Sequence, residues 1–280
     1  MMELTFLERG IIAALCIGLI APLMGTLLAV RRSSIIADSL SHVTLTGISA
    51  GVLIGGTMQF IPVHPLYTGF AFSLAGSLFI EKLRQEYASF QELAAPIILS
   101  AGIGLSAVFM SLAPSGQNEW YDYLFGSVVS VGKGDLLFIL ITFIVSGLLF
   151  GLFFKELVFV SFDQEGAAVS GIKMKTINFL FSFLTALVIS MSMKVVGILL
   201  VGALISLPAA AALQLASSFR ALVLWSIVIG EAAVLTGVIS SYHLSLATGG
   251  SIVVSAALIL GAVLAWKPVS ARIFSRRNQL

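Results

Sequence analysis

The sequence predicts an all-α, polytopic transmembrane bundle of about nine spans (eight to ten), and three observations predict it. Of 280 residues, 59% are hydrophobic and only 10% are charged, far below the roughly 25% charge of a soluble domain. The apolar residues fall into runs of about 20, long enough to cross a bilayer as helices. Lipid offers no partner to a free backbone amide, so spans of this kind satisfy their hydrogen bonds internally, as helices. One membrane domain, 1–280, describes the chain without internal repeats or linkers.

The spans follow in order: 11–30, 37–57, 62–81, 93–113, 135–160, 175–193, 195–216, 220–241 and 250–267. The first run has no small-residue cleavage site and ends in Arg31-Arg32, so it reads as a retained helix rather than a cleaved signal peptide. The run from Ile177 to Ala216 is too long for one helix, and Lys194 marks the expected turn. The stretch "YDYLFGSVVSVG" is too short to span and reads as interfacial or re-entrant. Pro208 removes a backbone donor inside the 195–216 span and predicts a kink. Runs such as "GISAGVLIGG" and "SAGIGLSA" supply the small residues that let membrane helices approach closely.

Basic residues set the orientation. Twelve of the fifteen Lys and Arg fall in or beside the segments 31–36, 82–91, 161–174, 217–219 and the carboxyl tail, leaving Arg9, Lys133 and Lys194 on the other side. The positive-inside bias predicts the amino terminus out and the carboxyl terminus in. A net charge of +2, clustered at helix ends, argues against nucleic acid as a partner. The lone Cys16 cannot form an internal disulfide.

Charged groups inside spans are costly and mark partners or polar paths. Asp38 and His42 stand four apart, one helical turn on one face. Carboxylate and imidazole suit zinc and, with more oxygen, manganese. Asp38 could instead cap the helix beginning at Ala37 and lie beside Arg31 or Arg32. Glu231, mid-span, needs a partner or a pore, and Lys194 is a candidate. His64 and His243, in outer loops, are candidate points on a transport path or ordinary loop histidines. In "VSFDQEGAAVSGIK", Asp163 and Glu165 open a short helix that Gly171 ends. This cytosolic segment, 161–172, suits docking of a cytosolic partner and, on its own residues, equally an ordinary solvated loop. "GSVVSVGKG" fails as a phosphate loop: five residues separate its glycines where four are required, and Gly134 replaces the Ser or Thr.

The stretch "LLAVRRSSIIADSLSHVTLTGISAGVLIG" resembles the L-R-R-x-S-L-x-x-D-x-L-S-H segment of the metal-type ABC importer permeases (the ABC-3 family). "YLFGSVVSV", "VSFDQEGAAVSGI", "VGILLVGALISLPAAAA" and "LATGGSIVVSAAL" are similar to later segments of that family, in the same order. The resemblance implies a type II ABC importer-like permease in a bacterial cytoplasmic membrane, itself no enzyme. It would pair with a second copy of itself, with a cytosolic ABC ATPase, and with an extracellular metal-binding lipoprotein or periplasmic binding protein. It assigns Asp38 and His42 as ligands of a transported Zn2+ or Mn2+, with no permanently bound cofactor, and within the family the chain most resembles the zinc-transporting branch of Gram-positive bacteria. Phe162, Asp163, Gln164, Glu165 and Gly171 map to the ATPase-coupling surface. Where the family often has proline after the histidine, Thr46 stands here. From the residues alone, an ATP-independent secondary transporter using Glu231 and Lys194 is the alternative of another class.

Overall fold

The computed structural model describes residues 5–57, 64–87, 89–113 and 117–277, side chains included except at 57, 117–120 and 267–277. Among the described residues the chain is helical, without strands. In order the helices are α1 (Phe6–Val30), α2 (Ile35–Thr57), α3 (Pro65–Glu86), α4 (Ala94–Leu112), α5 (Gln117–Phe125), α6 (Lys133–Phe162), α7 (Gln164–Val169), α8 (Met174–Val196), α9 (Ile198–Leu215), α10 (Phe219–Leu244) and α11 (Thr248–Arg277). Every expected span falls on one of the nine long helices, apart from residues 62 and 63 of the third, which lie outside the described residues.

Eight of these, all but α3, are long and apolar enough to cross a membrane. The face α3 buries is made of Gly69, Ser73, Gly76 and Ser77 beside Leu66 and Ile80. Close packing, not apolar mass, therefore lowers its hydropathy. Its last turns also carry Glu81, Lys82, Arg84 and Glu86.

α1 and α8 form the centre of the bundle, with 67% and 78% of their apolar stretches buried, whereas α4 and α11 bury only 22%. Lipid tails are as apolar as leucine, so burying carbon gains little here and close van der Waals packing decides which faces meet. Glycines make that possible. A Cβ on Gly25 of α1 would strike the Ile205 carbonyl of α9, and one on Gly237 of α10 would strike Ile252 of α11. Many hydroxyls inside the spans spend their hydrogen on their own helix, as where Ser41, Thr44 and Ser49 donate to Ala37, Leu40 and Leu45 carbonyls, so that those donors are not orphaned in hydrocarbon.

Three local expectations meet the structure differently. The reversal between α8 and α9 lies at Gly197, not Lys194. Gly197 has φ +85°, a left-handed conformation that glycine adopts freely, while Lys194 remains in the last turn of α8. The "YDYLFGSVVSVG" stretch supplies the last five residues of the nine-residue α5, which begins in the polar segment at Gln117 and ends at Gly126 (φ +74°). At 1.5 Å per residue it rises roughly 14 Å, about half a bilayer core. Finally, α9 continues through Pro208 and α1 through Pro22. The backbone departs from helical geometry instead at Phe153 in α6 (φ −109°, ψ 18°).

The ends of the bundle differ in character. At the α5 end, Gly126, Gly197 and Gly249 bring three chain segments into backbone contact, and the Ser127 amide donates to the Lys194 carbonyl at 3.0 Å. A cavity of about 520 Å³ opens beside Gly126 at that end; at the α7 end, cavities of about 720 and 220 Å³ lie between the helix ends, with no comparable backbone junction beside them among the described residues.

Candidate functional site

α2 carries the candidate ligands, and its neighbours fix where they point. Ser39 Oγ donates to the Ala95 carbonyl and Thr46 Oγ1 to the Gly102 carbonyl, each at 2.9 Å, so this side of α2 is tied to α4. Asp38 lies against α9, where a Cβ on Gly202 would sit 3.3 Å from Asp38 Oδ1. At about 100° per residue, His42 falls between these two directions. Asp38 and His42 are both half-buried. α4 and α9 each pack on α2 but make no substantial contact with one another among the described residues. The pair therefore occupies a groove with α2 as its floor and α4 and α9 as its walls. Thr46, at the position where proline was expected, supplies one of the bonds that hold the α4 wall.

The capping alternative for Asp38 does not match this geometry. α2 starts at Ile35, which puts Asp38 fourth in the helix, beyond the position from which a side chain caps. Nor does Arg31 turn toward it. Arg31 Nε donates to Ser161 Oγ at 3.0 Å and Nη1 to Asn178 Oδ1 at 3.4 Å. The guanidinium stacks on the Phe181 ring, 3.8 Å from its centre. Burial pushes the Arg31 guanidinium down to about 10, with Glu81 opposing and Arg84 adding to the shift. It remains charged at neutral pH.

The other candidates are dispersed. His64, at the start of α3, places Nε2 3.4 Å from Asp135 Oδ1 at the start of α6. Asp135 Oδ2 also accepts the Gly132 amide at 2.9 Å. His243 is exposed near the end of α10 with its ring edge-on to Tyr242. Glu231 faces Gly18 of α1, and its Oε1 is buried without a hydrogen-bond partner. Lys194 is not that partner: its ammonium sits 4.6 Å over the Tyr123 ring.

The expected coupling segment folds as a short surface helix. Asp163 caps α7 by accepting the Gly166 amide on Oδ1 at 2.8 Å. Gly171 (φ +84°) ends it, and the Ile172 amide returns to the Ala167 carbonyl at 3.1 Å, satisfying carbonyls that a helix end leaves open. Gln164 and Glu165 are exposed, Phe162 packs edge-on to Phe219, and Val169 is 91% exposed. An apolar side chain held that far into solvent suits a surface to be covered.

Sequence reasoning missed Gly202, Asp135 and the partners of Arg31. Asp135 had a local signal, an acid three residues after Gly132 at a helix start. Gly202 and Asn178 had none.

The model of the ABC 3 transport family matches residues 3–267, from α1 into α11. The chain belongs to the ABC-3 family. Among ABC-3 relatives, the manganese transport system membrane protein MntC of Listeria monocytogenes is 28% identical over 281 residues, covering 100% of this chain and 97% of MntC. The high-affinity zinc uptake system membrane protein ZnuB of Haemophilus influenzae is 28% identical over 261 residues, covering 92% and 96%. The solved structure of PsaBC from Streptococcus pneumoniae in complex with Fab has a chain 26% identical, superposing with a TM-score of 0.82 over 93% of this chain and 91% of that one. This is thus a membrane ABC-3 permease, and its bundle is the family's fold.

Proposed function

We propose that this chain is the permease subunit of an ATP-driven importer for a divalent transition metal, zinc or manganese, working as a dimer with ATPase subunits at the α7 end and a metal-delivering binding protein at the α5 end. The observation that carries the reading is the Asp38–His42 pair in the α2 groove of a chain matched along its length by the ABC-3 family. Relatives named for manganese and for zinc match at the same identity, so the expected zinc preference gains nothing over manganese.

The chemistry follows from the donors. One carboxylate and one imidazole from each of two protomers give up to four ligands, enough for tetrahedral zinc; manganese would add oxygen donors or water. Without thiolate the set binds moderately, as a site that must release its cargo requires. Movement of α7 by the ATPases would alternate the side to which the groove opens. Asp163, Gln164, Glu165 and Phe162 would form the surface that receives that movement.

The test is metal uptake into proteoliposomes holding the permease, its ATPase and its loaded binding protein, with zinc and manganese offered separately and in competition. ATP-dependent uptake that falls at least tenfold in His42→Ala is expected, a loss of about 1.4 kcal/mol or more. Unchanged uptake in that variant ends the ligand assignment. Uptake by the permease alone, without ATPase, would favour the secondary-transporter alternative, whose proposed Glu231–Lys194 pair the side chains do not form.

A further inference from the structure

Arg31 ties the connection between α1 and α2 to both α6 and α8; among the described residues α2 packs on α8 but makes no substantial contact with α6. Arg31 lies seven residues before Asp38. Its Nε bond goes to Ser161, in the last turn of α6 and two residues before Asp163, which caps α7. Its Nη1 bond goes to Asn178 near the start of α8, and its flat face covers Phe181 one turn further on. Among the described residues α7 packs on α6 and α8 but makes no substantial contact with α2. A displacement of α7 therefore reaches α2 through the end of α6 and the start of α8, the two elements Arg31 holds.

The surroundings leave this residue room to move. Three cavities at this end, of about 720, 220 and 20 Å³, are each lined by Arg31 and Arg84. Gln164, the first residue of α7, lines the middle one with Glu81. Arg31 Nη2 is buried with no hydrogen-bond partner. The guanidinium is thus held through Nε and Nη1 while Nη2 makes no hydrogen bond. A charge this buried follows its partners, because leaving them unpaired is costly. Lysine could not replace it: two directed bonds and a ring contact need a planar fork.

We propose that Arg31 is a positioning residue, a latch that converts movement of the α7 end of α6 and α8 into movement of the amino-terminal end of α2 and so of the Asp38–His42 groove. The proposal rests on the permease reading. Arg31 touches no metal; it decides whether ATP hydrolysis and ion passage stay linked.

The experiment measures metal ions moved per ATP hydrolysed in the reconstituted complex of permease, ATPase and loaded binding protein. Arg31→Gln is expected to keep co-purification with the ATPase and basal hydrolysis within about twofold, while the ratio falls about fivefold or more, at the low end of ordinary coupling factors. Ser161→Ala is expected to lower the ratio in the same direction, and Ser161→Thr, which keeps the hydroxyl acceptor, to restore it. A merely structural role would reduce yield, hydrolysis and uptake in parallel and leave the ratio unchanged, which overturns the latch. If Arg31→Gln does not assemble, the Ser161 pair decides: a ratio lower in Ala than in Thr supports the latch, and equal ratios overturn it. Native complex that moves no metal with ATP overturns both the permease reading and the latch, whereas native transport with a ratio insensitive to every variant overturns the latch alone.

Discussion

At the scale of single residues, the groove makes two demands on its ligands. Imidazole coordinates a metal only when neutral. Uptake by the reconstituted importer is therefore expected to decline at acidic pH as the His42 imidazole takes up a proton, and this decline should vanish with the residual activity of His42→Ala. Glu231 faces α1, and among the described residues α10 makes no substantial contact with α2, so Glu231→Gln is expected to leave uptake within about twofold, against the tenfold that one lost ligand costs. Uptake that tracks Glu231→Gln instead would place that carboxylate on the ion's route. The four-residue spacing of Asp38 and His42 showed that they share a face, because helical geometry is local. What stands opposite was not legible: Gly202 lies on another helix, and nothing in its own surroundings announces Asp38. The expected Glu231–Lys194 pair failed for a related reason. Opposite charges in a sequence carry no depth, and the nearer Tyr123 ring claims the ammonium.

At the scale of elements, hydropathy located all nine long helices, because lipid leaves the backbone no other spanning form. Boundaries were legible where conformation forces a residue type and not where charge was used as a marker. Gly171 was expected to end α7 and does; Lys194 was expected to end α8, and Gly197 does so instead. These two glycines separate strain from crowding. Both hold left-handed φ, but a Cβ at Gly171 meets open space, while one at Gly197 runs into the backbone of Phe125 and Gly126. Gly171→Ala is expected to cost only conformational strain, about 1 kcal/mol. Gly197→Ala is expected to cost at least about 2–3 kcal/mol more, as for overpacking at a tight contact. Thermal unfolding of the detergent-solubilised protein, followed by labelling of the single Cys16 with a thiol-reactive dye, ranks them; equal midpoints would mean the α5–α9 contact yields without strain.

At the scale of the whole molecule, orientation rests on twelve basic residues against three. In a Cys16→Ser background, a membrane-impermeant maleimide added to intact cells is expected to label Ser245→Cys and to spare Ser34→Cys and Ser170→Cys. The reverse pattern inverts the topology. The fold class was readable from composition because a solvent of hydrocarbon constrains every residue. The pairing of helices was not, since glycine-rich faces on α1, α2, α3 and α10 are interchangeable in sequence and only their shapes select partners. The contrast between the two ends of the bundle has a mechanical result. Where Gly126, Gly197 and Gly249 lock backbone to backbone, the helices cannot part without breaking those contacts; at the α7 end, cavities between the helix ends leave them room to lean inward or apart. The glycine knot is then a fulcrum and the far helix ends are levers. Amides around the knot should be among the last in the protein to exchange hydrogen for deuterium.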